Sequence, residues 1–231
     1  RRLVNVDDRK PRVLYIEGEP RWEMKFIRRA LEEDQTLEVV SVLRTTQNKL
    51  YRQGISDPKE LEDGFPSRAE ELYSFSGLVL GSVEADYFTG AQLAMIRDFV
   101  SRRGGGLLFP GGRSALSESG YGSSPLADLI PVSLAARKGT FHRTPVRAEL
   151  TAAGRDSLLC RLEDDPAKNI ERWRRLPALA DYQETGSPKP GALVLAHAVV
   201  QDKRRAALLV TQNYGRGKTA VFATGGSWRW Q

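Results

Sequence analysis

"RVLYIEGEPRWEMKFIRRALEEDQTLEVVSVL", Arg12 to Leu43, decides the fold class. Its opening residues, Arg12 to Ile16, are a short apolar run stopped by the turn Glu17-Gly18-Glu19-Pro20, and Leu37 to Leu43 is a second such run. Between them Trp22, Phe26, Ile27, Ala30 and Leu31 recur at the spacing of an amphipathic helix. Pro20 stands near the helix start, where a missing N–H is tolerated. Strand, helix, strand at this spacing is a βαβ unit, with parallel strands and a right-handed crossover.

Downstream, Arg44 to Phe65 is too hydrophilic for core and reads as a surface loop with a short helical piece. Ser67 and Glu70 form a capping-box pattern for a helix through Leu72 and Tyr73, which feeds a strand at Gly77 to Leu80. Thr89 and Gln92 form a second box. The helix it opens has an apolar face of Leu93, Ile96, Phe99 and Val100, and ends at Arg102, Arg103 and Gly104, cations then glycine. Leu107 to Pro110 is the next strand, and Ser124-Pro125 opens a short helix, "PLADLI". In the last third, Gly139 to Leu150, Ala192 to Val200, Ala206 to Gln212 and Thr219 to Thr224 are strand-like. The final two form a hairpin closed by "NYGRGK", and "TGSPKPG" from Thr185 reads as a linker. The order predicts an α/β protein: an open, mostly parallel sheet flanked by helices, with an antiparallel C-terminal extension.

The 231 residues suit one large domain, or a medium one with an appendage. Residues 1–10 read as a linker or the tail of a preceding domain, leaving 11–231 as the α/β domain. Arg1-Arg2-Leu3 at one end and an aromatic cluster at the other suggest a piece of a longer chain. No apolar run approaches the roughly 18 residues of a membrane span. One cysteine, Cys160, excludes an internal disulfide and a cysteine-built metal site, and two distant histidines, His142 and His197, argue against a histidine-rich one. No metal or cofactor is expected. The net charge of +6 is interleaved with acids, as in "RWEMKFIRRALEED", and no nucleic-acid-binding motif accompanies it, so no nucleic acid is expected as a partner.

In such a sheet the ligand crevice lies beyond the carboxyl ends of the strands. The loops "EGEPRWE", "GSVEADYF" and "GGRS" meet there, bringing Glu17, Glu19, Arg21, Gly81, Glu84, Asp86, Gly111, Gly112, Arg113 and Ser114 together. Glu17 and Glu19 can act as an acid/base pair or hold a cation; equally, one can cap the helix, pair with Arg21 or lie in solvent. Gly111 and Gly112 permit close backbone approach, and Arg113 can grip a carboxylate or phosphate, or the three form a tight surface turn. No GxGxxG follows the first strand, and Gly217-Lys218-Thr219 lacks the first glycine of a phosphate-binding loop. Cys160 has no neighbouring base and reads as a small buried hydrophobe.

On "RVLYIEGEPRWEMKFIRRAL", on Gly77 to Val132, "DDPAKN" and "YGRGKTAVFATGGSWRW", the chain resembles a family. It is the class I glutamine amidotransferase-like domains of large membrane-anchored bacterial cell-envelope proteins, often beside von Willebrand factor A modules. The resemblance implies a flavodoxin-like sheet, and partners among neighbouring domains of the same chain, other envelope proteins or a small anionic ligand. It also implies a nucleophilic cysteine within "FPGGRS", where this chain has Pro110, Gly111, Gly112 and Arg113. No His-x-Glu pair follows in the C-terminal segment. Without thiolate and base the covalent route has no starting point. Two expectations follow: a catalytically silent binding module, or a hydrolase or amidotransferase of altered chemistry using Ser114 or Glu17 and Glu19.

Overall fold

The computed structural model describes residues 10–46, 49–201 and 203–230. In chain order the elements are β1 (Arg12–Glu17), α1 (Trp22–Glu33), β2 (Glu38–Thr46), β3 (Lys49–Gln53), α2 (Ala69–Tyr73), β4 (Gly77–Leu80), α3 (Gly90–Asp98) and β5 (Gly106–Pro110). There follow β6 (Phe141–His142), β7 (Arg147–Leu150), α4 (Ala152–Asp156), α5 (Pro166–Arg175), β8 (Tyr182–Gln183), β9 (Leu193–Val200), β10 (Arg204–Tyr214) and β11 (Gly217–Phe222).

Nine strands form one sheet in the order β3-β2-β1-β4-β5-β11-β10-β9-β7. β1 pairs in parallel with β2 and with β4, β4 with β5, and β5 with β11. These five run 2-1-3-4-5 in order of appearance, the flavodoxin-like order, whose topological switch lies between β1 and β4. β3 closes one edge antiparallel; β10, β9 and β7 extend the other antiparallel, as the strand-like texture of the last third predicts. The β10–β11 hairpin turns on Gly215, whose φ of +56° suits the first central position of a two-residue turn.

Leu14, Ile16, Leu78, Leu80, Phe109 and Val221 face α2, α3 and the 115–132 segment in the main core. On the other face Tyr15, Met24 and Val79 form a smaller core under α1, and Trp173, Leu179 and Leu208 one under α4 and α5. α3 starts on the expected capping box, Thr89 accepting from the Gln92 amide, and passes through a wider turn at Phe99–Arg103 to Gly104 at φ +92°.

Several expectations are corrected. The polar segment Arg44 to Phe65 is not a loop: β2 runs on to Thr46, β3 pairs with it, and Leu61 and Phe65 are buried. Edge strands carry polar residues on their solvent side, which hid this one. The helix of the first capping box, α2, starts one residue later and without a full box: Glu71 reaches back to accept from the Arg68 amide at 3.3 Å, while the Arg68 side chain, a donor only, caps nothing. "PLADLI" makes only a 3₁₀ turn at Ala127–Leu129, and Gly139 to Leu150 divides into β6 and β7. "TGSPKPG" packs as part of the body, with the Gly186 amide on the Ser133 carbonyl and Lys189 on Pro131. Helices α4 and α5 were not anticipated; α5 carries few apolar residues beyond Ile170 and Trp173 and is held by an Asp165 cap with Pro166 at its first position. Residues 1–9 of the expected tail lie outside the described residues. Among the described residues, no helix is long and apolar enough to cross a membrane.

Candidate functional site

At the switch point the carboxylate of Glu17, the last residue of β1, is fully buried. Its Oε1 accepts from the Ser82 amide at 2.7 Å, just past β4, and its Oε2 from Tyr15 Oη at 2.9 Å. Arg21 donates to the same Oε2 from Nε at 3.1 Å and Nη2 at 2.8 Å. The remaining arm of Arg21, Nη1, donates to the Gly111 carbonyl at 2.7 Å, just past β5. One buried ion pair thus ties together the ends of β1, β4 and β5. Burial opposes charge on Arg21, yet Glu17 outweighs it and holds the guanidinium protonated. Burial first, and the adjoining Glu17 charge second, push the Tyr15 phenol well up.

This pairing decides what the glycines do. A Cβ on Gly81 would lie 2.4 Å from Glu17 Oε2, and one on Gly112 2.5 Å from Arg21 Nη1. The Gly111 amide donates to the Phe222 carbonyl at 2.7 Å, and the Gly112 amide to Gln183 Oε1 at 3.1 Å. Gln183 completes the brace from Nε2 to the Ala115 carbonyl at 2.7 Å. The bend after β5 therefore spends these two N–H groups internally, where an oxyanion site would aim free donors at a developing charge.

Of the other sequence candidates, Arg113 points outward and pairs with Glu19 at 3.0 Å, with 66 % of its side chain exposed. Ser114 is half-buried, its carbonyl accepting from Ser119 Oγ. Glu84 pairs with Arg44, and Asp86 is exposed. Glu17 and Glu19 adjoin, but as parts of two separate ion pairs; they do not form a free acid pair.

Cys160 lies under α5, its carbonyl accepting from Trp173 Nε1 at 2.8 Å and Asn169 Nδ2 at 3.2 Å. Burial pushes its thiol up to about 11. It should be inert to a thiol-specific chromogenic reagent at pH 8 in the folded protein and react stoichiometrically in guanidinium; rapid native labelling would refute this placement. His142 stacks on Tyr182, with centroids 4.9 Å apart, and its Nε2 lies 3.4 Å from Glu184 Oε2. Among the described residues, no group of His, Cys, Asp and Glu is arranged to hold a metal ion.

Beyond the bend, a cleft of about 340 Å³ is lined by Glu19, Arg21, Trp22, Glu23, Gly112, Arg113, Phe141, Arg143, Asp181 and Trp228, among others. Two buried acids stand in its wall. Burial raises Glu23 to about 7, with the Asp181 charge adding, against the amides of Glu23 and Trp228 and the Arg21 charge. Burial also raises Asp181, against the Gly225 amide, the Thr224 hydroxyl and Arg21. Glu23, Asp181 and Gln183 were absent from the sequence candidates. A signal for Glu23 existed: it lies three and four residues before Phe26 and Ile27, a carboxylate at the spacing of the helix's apolar residues.

No family model and no curated protein matches the chain. Solved structures do. The cytoplasmic protein STM1381 of Salmonella typhimurium LT2 superposes with a TM-score of 0.63 at 18% identity, over 92% of this chain and 87% of that one. A second Salmonella typhimurium cytoplasmic protein, STM3548, gives 0.58 at 17% identity over the same shares, 92% and 87%. A ThuA-like protein of Bacteroides uniformis gives 0.53 at 11% identity, over 97% of this chain and 86% of that one. The chain has the fold of these proteins. At such identities the likeness is one of fold, an α/β sheet flanked by helices, and function has to be argued from the site.

Proposed function

We propose that this domain is a catalytically silent member of the glutamine amidotransferase-like fold, acting as a binding module of a bacterial cell-envelope protein. The reading is carried by the bend after β5. The position expected to present a nucleophile presents Gly111-Gly112-Arg113, with both glycine amides bonded internally and the guanidinium turned out to Glu19. The single thiol lies elsewhere under α5. Glu17 is saturated by Tyr15, Arg21 and Ser82, which weighs against the alternative of an altered hydrolase built on Glu17 and Glu19. The envelope setting, with neighbouring domains of the same chain or other envelope proteins as partners, is supported by the sequence resemblance. Arg113, exposed and held by one carboxylate, is the group available to a small anionic ligand.

Purified protein incubated with glutamine is expected to release no ammonia above a blank. Release that disappears in Ser114→Ala would replace this reading with the hydrolase one.

A further inference from the structure

Strands at the centre of a parallel sheet are ordinarily buried on both faces. β5 and β11 are not. Along β11, Gly217, Thr219 and Val221 are buried, whereas Ala220 and Phe222 are half-buried and Lys218 is exposed; along β5, Leu107 and Phe109 are buried and Leu108 is half-buried. The alternation puts one face of both strands in the main core and leaves the other facing a groove of about 750 Å³, floored by Leu108, Ala220, Phe222, Leu209 and Thr211. α1 flanks the groove on one side, with Met24 packed among Tyr15 and Val79. On the other side α4 and α5 pack on β9 and β7, and Leu159, Leu162 and Trp173 form the wall. Leu159 is 69 % exposed, Leu193 57 % and Leu162 49 %, an apolar margin of the kind that marks an interaction surface.

We propose that this groove receives an amphipathic α-helix of a partner protein, laid antiparallel to β5 and β11 with an acidic last turn over Lys218. The face is separate from the bend after β5, so helix binding there stands or falls independently of catalytic silence.

Shape, source and charge support it. β5, β11 and β10 are adjacent, and at about 4.8 Å between strands they present a strip roughly 10 Å across, the width of one helix. The six residues of β11 run about 20 Å, room for about thirteen helical residues. Helices on both faces are also the packing that layered α/β sheets use. In a second copy of this chain α1, α3 and α5 have already turned Met24, Ile96 and Trp173 into their own cores, which leaves a partner protein as the source of the helix. α1 returns from the end of β1 to the start of β2, so a helix laid beside it in the same sense ends over the strand starts. Lys218 stands there, the one charged residue in the groove lining, exposed and without an ion pair among the described residues, and Arg216 follows on the adjoining turn. Cations at that end complement both the negative end of a helix dipole and acids in its last turn.

Calorimetry and tryptophan fluorescence, with Trp173 and Trp230 in the groove lining as reporters, follow titration of the whole chain with a synthetic, end-capped peptide of about sixteen residues that carries leucine at i, i+4, i+7 and i+11 and glutamate in its last turn. Saturable binding is expected, about threefold tighter than that of the same peptide ending in lysine, and converging with it as salt is added. Lys218→Glu should reverse that order. Leu159→Asp, at a site exposed enough that the fold does not depend on it, should weaken the glutamate-ended peptide about tenfold or more. No saturation by a monomeric chain, an order unchanged in Lys218→Glu, or equal affinity in Leu159→Asp of unchanged melting temperature overturns the inference. So does a chain that sediments as a dimer, refuses the peptide and becomes monomeric in Leu159→Asp; the face then belongs to a second copy.

Discussion

Glu23→Gln is expected to make the protein more stable at pH 8, by about 2 kcal/mol, and to change its stability little at pH 4. The folded state holds the Glu23 proton up to about pH 7, against an ordinary value of 4.5. Between those two limits the folded chain binds more protons than the unfolded one, so stability falls as pH rises through the window and the full cost is present above pH 7. A tenfold change in acidity is worth about 1.4 kcal/mol, which bounds the cost at about 3 kcal/mol; contact of the cleft with water reduces it to about 2. Glutamine mimics the protonated form and carries no such cost. Asp181, also raised by burial, bends the profile the same way. Urea denaturation of both proteins at pH 4, 6 and 8 measures the difference. A Gln variant that is less stable than wild type at pH 8 would mean that Glu23 is satisfied in the fold.

A buried carboxylate whose loss stabilises the protein is not placed by the needs of the fold. This part of the site was also hard to read in sequence. Arg12 to Leu43 carries the βαβ unit on its surface: apolar runs of strand length, a helix of regular spacing and a turn between them. The capping residues Thr89 and Gln92 and the glycine after Arg103 are equally local signals, and the structure follows them. Glu17, Arg21, Gly81, Gly111 and Gly112 were legible as a crevice because strand ends converge in any sheet of this topology. Their roles were not legible. That Arg21 spans from Glu17 to the Gly111 carbonyl depends on the register of β1 against β4 and β5, a relation between segments some sixty and ninety residues apart. Gln183 lies in the two-residue strand β8 and Asp181 just before it, and their place is set by pairing with β6 and by bonds to Ala223, Thr224 and Gly225, so no local pattern marks them. β3 was hidden for a different reason: an edge strand needs only a few inward residues, and "KLYRQ" supplies them among polar ones.

The largest loss is expected from Arg21→Met, about 3 to 5 kcal/mol. Methionine fills much of the volume but leaves Glu17, fully buried, with its Tyr15 and Ser82 donors and no cation. Glu17→Gln alone should cost less than Arg21→Met, since the amide oxygen keeps an acceptor for the Ser82 N–H and the amide NH2 can donate to the Tyr15 hydroxyl, although Arg21 is then left charged in a 9 % exposed pocket. The double variant should recover part of the loss, because neither buried charge survives; a coupling energy of about 2 kcal/mol or more in the cycle is the expected signature. Position matters as much as energy. Among the described residues Arg21 joins the end of β1 to the Gly111 carbonyl, so its removal should loosen the bend after β5, and the Gly112 amide should exchange with solvent faster than amides in the middle of β5. If Arg21→Met instead cost about 1 kcal/mol or less, with exchange at Gly112 unchanged, the bend would be held by Gln183 and the Phe222 carbonyl alone. The ion pair would then be free to open toward a ligand, and Glu17 would return as a reactive candidate.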